Sequence, residues 1–78
     1  MKKIRRYTII LHPDLEEGGY WVEVPALKGC HTQGETLEEA IAMAKDAVAL
    51  YVETLEEQGK PVPEEFEHPQ AVVIEVAA

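Results

Sequence analysis

The sequence predicts an α+β fold with the element order β-β-β-α-β. Two short runs near the start of the chain alternate apolar with polar residues, which is typical of strands. The stretch Pro25–Gln58 contains a short strand with a glycine and then one long amphipathic helix. A proline-rich connection follows the helix, and a last alternating run follows that connection. We therefore expect an antiparallel meander of three strands and one crossover helix. A fourth strand should lie beside the first and parallel to it, through a right-handed crossover.

The first two strands are predicted over residues 5–12 and 20–24, where side chains alternate between two faces. Turn-forming residues fill positions 13–19 between them, so the two strands should form an antiparallel hairpin with a long loop. Residues 29–33 are predicted as a short third strand, with Gly29 at a bulge or a close backbone approach.

The helix has clear signals at both ends. Thr36 is the predicted N-cap, and Glu39 completes a capping box that satisfies two backbone donors. Apolar residues recur at three- and four-residue steps through positions 37–55. Gly59 suits the left-handed position after the helix, and Pro61 cannot continue it. These signals predict one helix of about six turns.

The fourth strand is predicted at Ala71–Val76, after an extended segment in which Phe66 should close the bottom of the core. One helix covers only one face of a four-stranded sheet, so the other face should stay open. An aromatic and aliphatic patch on an uncovered sheet is typical of an interaction surface. We expect partner binding or self-association at five residues of that face: Ile10, Trp21, Glu23, Val73 and Glu75.

Composition limits the function classes. Seventy-eight residues make one domain with a small core, and Cys30 is the only cysteine, so no disulfide within the chain can support it. Self-association as a homodimer or larger oligomer is therefore expected. The net charge of −8 argues against direct nucleic-acid binding, because neutralising phosphates requires a cationic face. Four of the seven basic residues crowd the first six positions, so the rest of the chain is strongly acidic. No cofactor or metal is expected, since the cysteine and histidines lack metal-ligand spacing.

The start of the chain is basic, but the apolar run that follows is too short for the core of a signal peptide. No apolar run in the sequence is long enough to span a membrane. A cytoplasmic location is expected.

No enzymatic chemistry is predicted. Two-metal phosphoryl chemistry needs converging carboxylates, and the first strand has no acid between Thr8 and Leu11. Cys30 could serve as a nucleophile, but neighbouring His31 should point to the opposite face. A core thiol is the commoner role for a single cysteine.

Three parts of the sequence carry a family resemblance: the string Gly19-Tyr-Trp-Val-Glu-Val-Pro25, the stretch from Leu27 to Ala40, and the sequence Gly59-Lys-Pro-Val-Pro63. They resemble the HicB-like antitoxins of HicA–HicB toxin–antitoxin systems. The resemblance implies a degenerate RNase H-like fold without nuclease chemistry. It also implies an antitoxin that binds a small basic mRNA-cleaving toxin of the HicA type and covers its active site.

Full-length members of that family usually carry a further C-terminal segment that binds DNA. Because the sequence stops at Ala78, we expect a single HicB-like domain over residues 1–78 without that segment. Two alternatives stay open. One is a stand-alone homo-oligomeric module without a toxin, and the other is a residual RNase H-type nuclease. The open face could serve toxin binding, self-association or both.

Overall fold

The computed structural model describes residues 3–78, and Met1 and Lys2 of the basic N-terminal cluster lie outside the described residues. The elements are β1 (Ile10–Pro13), β2 (Tyr20–Glu23), β3 (His31–Gly34) and α1 (Leu37–Glu57). The strands form an antiparallel sheet in the order β1-β2-β3. This confirms the α+β class and the meander followed by one helix.

The predicted fourth strand is not observed. Residues 71–78 form no strand and are exposed along their whole length. Phe66 is also 84% exposed, so the prediction that it closes the core is wrong. The alternation of side chains indicates two faces of a strand but not its partner, and a strand forms only where a neighbour pairs with it.

The core consists of two small groups of side chains between the sheet and α1. Val22, Ala40 and Ala44 form the first, flanked by partly buried residues of β1 and its N-terminal extension. The second contains Val24, Leu27 and Cys30, and α1 covers it with Ala47, Val48 and Tyr51. Alanines at the centre of the helix face let α1 approach the sheet closely.

The start of α1 is capped as the sequence predicts, with one difference. The Thr36 hydroxyl accepts a hydrogen bond from the Glu39 backbone N–H at 3.0 Å. The Glu39 carboxylate accepts from the Glu35 N–H at 3.2 Å, not from Thr36 as a standard capping box requires. Both side chains still satisfy backbone donors that the helix leaves free.

The end of α1 is a Schellman motif, with Gly59 in the left-handed region at φ 67°. The Gly59 N–H donates to the Glu56 carbonyl at 3.1 Å, and the Lys60 N–H donates to the Leu55 carbonyl at 2.9 Å. Within residues 3–78, no helix combines the length and the apolar character that crossing a membrane requires.

Gly34 is where the sheet comes closest to the helix. A Cβ at Gly34 would lie 2.5 Å from the backbone nitrogen of Ala40 and 2.7 Å from its Cα. Gly29 differs, because a Cβ there would meet open space while its φ is +78°. Gly29 therefore supplies a left-handed turn, and the predicted close backbone approach belongs to Gly34.

The segment after α1 is fastened to the N-terminal extension of β1. The Tyr7 hydroxyl donates to the Pro63 carbonyl at 2.5 Å. The Thr8 N–H and hydroxyl donate to the two carboxylate oxygens of Glu65, at 3.0 and 2.6 Å. These Thr8 hydrogen bonds outweigh burial and, with the ring of His68, hold the pKa of Glu65 below its usual value.

Alanine substitutions should distinguish the close backbone contact at Gly34 from the left-handed turn at Gly29. Gly34→Ala should lower the free energy of unfolding by about 2–3 kcal/mol, because the added methyl group meets backbone atoms that cannot move aside. Gly29→Ala should cost only about 1–2 kcal/mol, the strain of a left-handed non-glycine residue. Urea denaturation of both variants checks this. An equal loss would show that close approach does not govern position 34.

The Thr8–Glu65 contact should make stability depend on pH. Because the folded-state pKa of Glu65 is lowered, the contact contributes fully above the ordinary carboxyl pKa and is lost as the pH falls through the folded-state value. Thr8→Val should lower the free energy of unfolding by about 1 kcal/mol at neutral pH. Its difference from wild type should shrink as the pH falls through the lowered folded-state pKa of Glu65. Thr8→Ser retains the donor and is the control; a constant difference for Thr8→Val would contradict the assignment.

Candidate protein-interaction surface

The sheet presents one face to α1, and no helix or strand within residues 3–78 covers the other. The register pairs Ile10 with Glu23 and His12 with Trp21 across the first hairpin. It also pairs Trp21 and Glu23 with residues of β3. Residues directly opposite each other on neighbouring strands share a face. The uncovered side, called the open face below, therefore carries Ile10, His12, Trp21, Glu23, His31 and Gln33.

Trp21 is the largest side chain on the open face and its orientation is fixed. The His12 ring stacks on the Trp21 indole, with 3.8 Å between the ring centroids and 12° between the planes. His12 Nε2 is in turn hydrogen-bonded to Glu23 Oε1 at 2.8 Å. Trp21 still exposes 44% of its surface. A half-exposed aromatic held in one orientation loses little conformational entropy when a partner covers it.

The structure brings together three of the five residues predicted for this surface. Ile10, Trp21 and Glu23 are neighbours on the open face. Val73 and Glu75 are not part of it, because they lie in the unpaired residues 71–78, where Val73 is 97% exposed. Their placement depended on the fourth strand, which the described chain does not form.

Sequence reasoning placed His12 on the face of Ile10 but did not include it among the expected contact residues. Alternation alone places His12 on the face of Ile10, but it does not indicate a contact with Trp21. The contact follows from the hairpin register, in which Pro13 pairs with Tyr20. The signal available in the sequence was the length of the loop between β1 and β2. Loop length determines the pairing register of the two strands only when the turn geometry is known.

The acidic residues of the described chain are not gathered on the open face. Glu23 is its only carboxylate, and the acid that the fourth strand was to bring, Glu75, lies elsewhere. Within residues 3–78, no three histidine, cysteine, aspartate or glutamate side chains are grouped closely enough to hold a metal ion.

Cys30 lies in the core and not at a reactive surface. Its side chain packs with Val24 and Leu27, and the residue is 7% exposed. Burial raises the pKa of the Cys30 thiol, which disfavours the reactive thiolate. His31 is exposed on the opposite face and does not activate it.

The basic N-terminal segment is partly neutralised within the chain. Glu64 forms an ion pair with Lys3 and a second with Arg5, at 3.1 Å from Arg5 Nη1. The hydrogen bond from Lys3 is the main cause of a lowered pKa at Glu64. Two of the chain's seven basic residues thus face a carboxylate of their own chain, which weakens any role in binding phosphate.

Comparison with protein families identifies a family to which most of the chain matches. The model of the HicB-like antitoxins of bacterial toxin–antitoxin systems matches residues 7–74. The chain belongs to the HicB-like antitoxin family. The match includes β1, β2, β3 and α1, and it extends into the unpaired residues that follow.

Several relatives of this HicB-like chain are similarly short. The UPF0150 protein ssr1765 of Synechocystis is 48% identical over 64 residues, which cover 82% of this chain and 80% of that protein. The UPF0150 protein Ta0767 of Thermoplasma acidophilum is 45% identical over 58 residues, covering 74% and 83%.

One relative carries the antitoxin name. Antitoxin HicB 1 of Photorhabdus laumondii is 43% identical over 61 residues, which cover 78% of this chain but 39% of that protein. The similarity to this longer HicB protein is thus confined to part of its length.

The core position of Cys30 predicts slow modification. An aromatic disulfide reagent should label the native thiol at least about 100-fold more slowly than the thiol of the urea-unfolded chain, because labelling must wait for local opening. The double variant Cys30→Ala/His31→Cys moves the thiol to the exposed face and should react quickly in the folded state. Fast labelling of the native wild type would contradict the core assignment.

Proposed function

We propose that this chain is an antitoxin that binds a small basic mRNA-cleaving toxin of the HicA type and neutralises it by covering its active site. The open face, in which Trp21 is held by His12, is the observation that carries the proposal. Interfaces commonly depend on a few aromatic residues that are buried when the partner binds. Membership of the HicB-like antitoxin family supports a toxin as that partner.

The charge of the chain supports a basic partner. The net charge is −8, and Glu38 and Glu39 begin the acidic outer surface of α1. Complementary charge speeds the encounter of two proteins and disfavours partners of the same sign. An RNA-cleaving toxin needs a cationic surface for its own substrate, so an acidic protein that covers this surface would also exclude RNA.

The proposal includes an expected setting. The chain acts by binding and not by catalysis, without a cofactor, in the cytoplasm where the toxin meets messenger RNA. It does so as a homodimer or larger oligomer. The complete fold has the four-stranded, RNase H-like sheet that the resemblance implies.

A stand-alone homo-oligomeric module is the second candidate. The exposed Val72, Val73, Ile74 and Val76 favour it, since apolar side chains this exposed in a small protein commonly mark a contact surface. This module would self-associate but form no complex with a toxin. A residual nuclease ranks third, because β1 carries no acid.

A binding experiment with Trp21 tests the proposal. Purified chain and a purified HicA-type toxin should form a complex on size exclusion, and the chain should suppress RNA cleavage by that toxin. Trp21→Ala should raise the dissociation constant about 30-fold, since loss of a central aromatic contact costs about 2 kcal/mol.

Leu50→Ala is the matched control. Leu50 is also apolar and 65% exposed, but it lies on α1 away from the open face. It should leave toxin binding unchanged. Absence of a complex, or an equal loss with Leu50→Ala, would contradict the proposal. Magnesium-dependent RNA cleavage by the chain alone, above a heat-treated sample, would favour the nuclease.

A further inference from the structure

A groove with an apolar floor runs between α1 and the N-terminal extension of β1. Its volume is about 720 Å³. On the strand side it is lined by Lys3, Arg5, Tyr7 and Ile9, and on the helix side by residues between Ile41 and Glu56. No residue beyond Glu56 lines it, so the C-terminal part of the same chain does not fill it.

The groove exists because α1 lies to one side of the sheet. The helix packs mainly against β3 and less against β2. Gly34 permits this position through its close contact with Ala40. The side of the sheet at β1, which is an edge strand, is therefore left without a covering element.

The C-terminal arm, defined as residues 71–78, is the counterpart of this groove in composition. Four of its side chains are large, apolar and 72–97% exposed: Val72, Val73, Ile74 and Val76. The described molecule measures 49 Å along its longest axis. The radius of gyration is 14.7 Å, against about 11.5 Å for a compact domain of this length.

The arm and the groove agree in length. Eight extended residues span about 23 Å at the rise of a strand. The helical wall from Ile41 to Glu56 spans about 22 Å at the rise of a helix. One arm laid along the groove would therefore cover the whole apolar floor.

The path of the chain directs the arm away from its own groove. Pro63 and Glu64 contact Tyr7 and Arg5, which line the groove. Glu65 then binds Thr8, which faces the other side of the extended strand. The chain thus crosses the strand edge before the arm begins.

We propose that the C-terminal arm of one copy occupies the groove of a second copy, and that the exchange is reciprocal in a homodimer. Val72, Ile74 and Val76 share one side of the extended arm and would face the groove. Val73 and Glu75 would face outward, next to Ile10, and extend the open face of the second copy. A two-fold dimer forms this contact twice, which suits a monomer whose fully buried side chains are few.

This arrangement completes a four-stranded sheet from two chains. It uses a surface on the helix side of the sheet, whereas the proposed toxin contact uses the opposite side. Its test contains no toxin, so a monomeric wild type would remove the oligomer from the proposed function but would leave toxin binding standing.

Light scattering behind size exclusion on the full chain tests the exchange with variants in the arm. Wild type should be a dimer. Ile74→Asp should raise the dimer dissociation constant by about a hundredfold or more, because each dimer would bring two carboxylates against the apolar side chains of Val48 and Ala49. Val73→Asp is the matched control in the same arm and should leave the dimer intact. Both residues are exposed in the monomer, so both variants should retain its circular dichroism spectrum.

A variant in the groove provides an independent test. Ala49→Glu alters an exposed residue of the groove wall and should also yield monomers. Mixed with Ile74→Asp, it should form a heterodimer, because one intact arm and one intact groove remain. Two copies of the same variant cannot form this contact.

Isotope-filtered nuclear Overhauser measurements on a mixture of labelled and unlabelled wild type decide which chain supplies the arm. Contacts between the Ile74 methyl groups of one copy and Val48 or Ala49 of the other are expected. A monomeric wild type would overturn the proposal, as would equal effects of Ile74→Asp and Val73→Asp. Contacts found only within one chain would also overturn it and assign the groove to the chain's own arm.

Discussion

The contact between Gly34 and the first turns of α1 determines where the helix lies. Because Gly34 has no side chain, the helix backbone at Ala40 comes within the distance that any Cβ would need. Val22 can then be completely enclosed between Ala40 and Ala44. The same contact holds α1 over β3, and the uncovered side at β1 is the consequence. The groove at the β1 edge of the sheet thus follows from the close approach of α1 at the β3 edge.

The two proposed surfaces lie on opposite sides of one thin sheet. The open face has one tryptophan in a fixed orientation with polar neighbours, which suits a transient complex. The groove is lined by aliphatic side chains with charged residues such as Arg5 and Lys45 among them, and the exposed arm is aliphatic. The proposed contact between groove and arm is therefore more apolar than the open face. The family match covers residues 7–74 and does not divide these roles between the surfaces.

Much of the fold could be predicted from the sequence because local signals determine it. Thr36 and Gly59 mark the two ends of α1 through capping chemistry that involves only neighbouring residues. Alternation placed Trp21 and Glu23 on one face for the same reason. The fourth strand and Val73 could not be placed, since pairing joins residues distant in the chain, and alternation does not indicate which edge, or which molecule, supplies the partner. The stack of His12 on Trp21 required the hairpin register and was missed for that reason.

The composition of the C-terminal arm has a consequence for the behaviour of the isolated chain. Its sequence, Ala71-Val-Val-Ile-Glu-Val-Ala-Ala78, contains no proline and a single charge. Short segments with high β-propensity and little charge are those that stack into cross-β aggregates when they stay exposed. Glu75 is the one residue that interrupts this stretch, and like other charges placed within hydrophobic strands it disfavours edge-to-edge stacking. In the proposed exchange, the same carboxylate would disfavour stacking between copies of the chain until each arm occupies a groove.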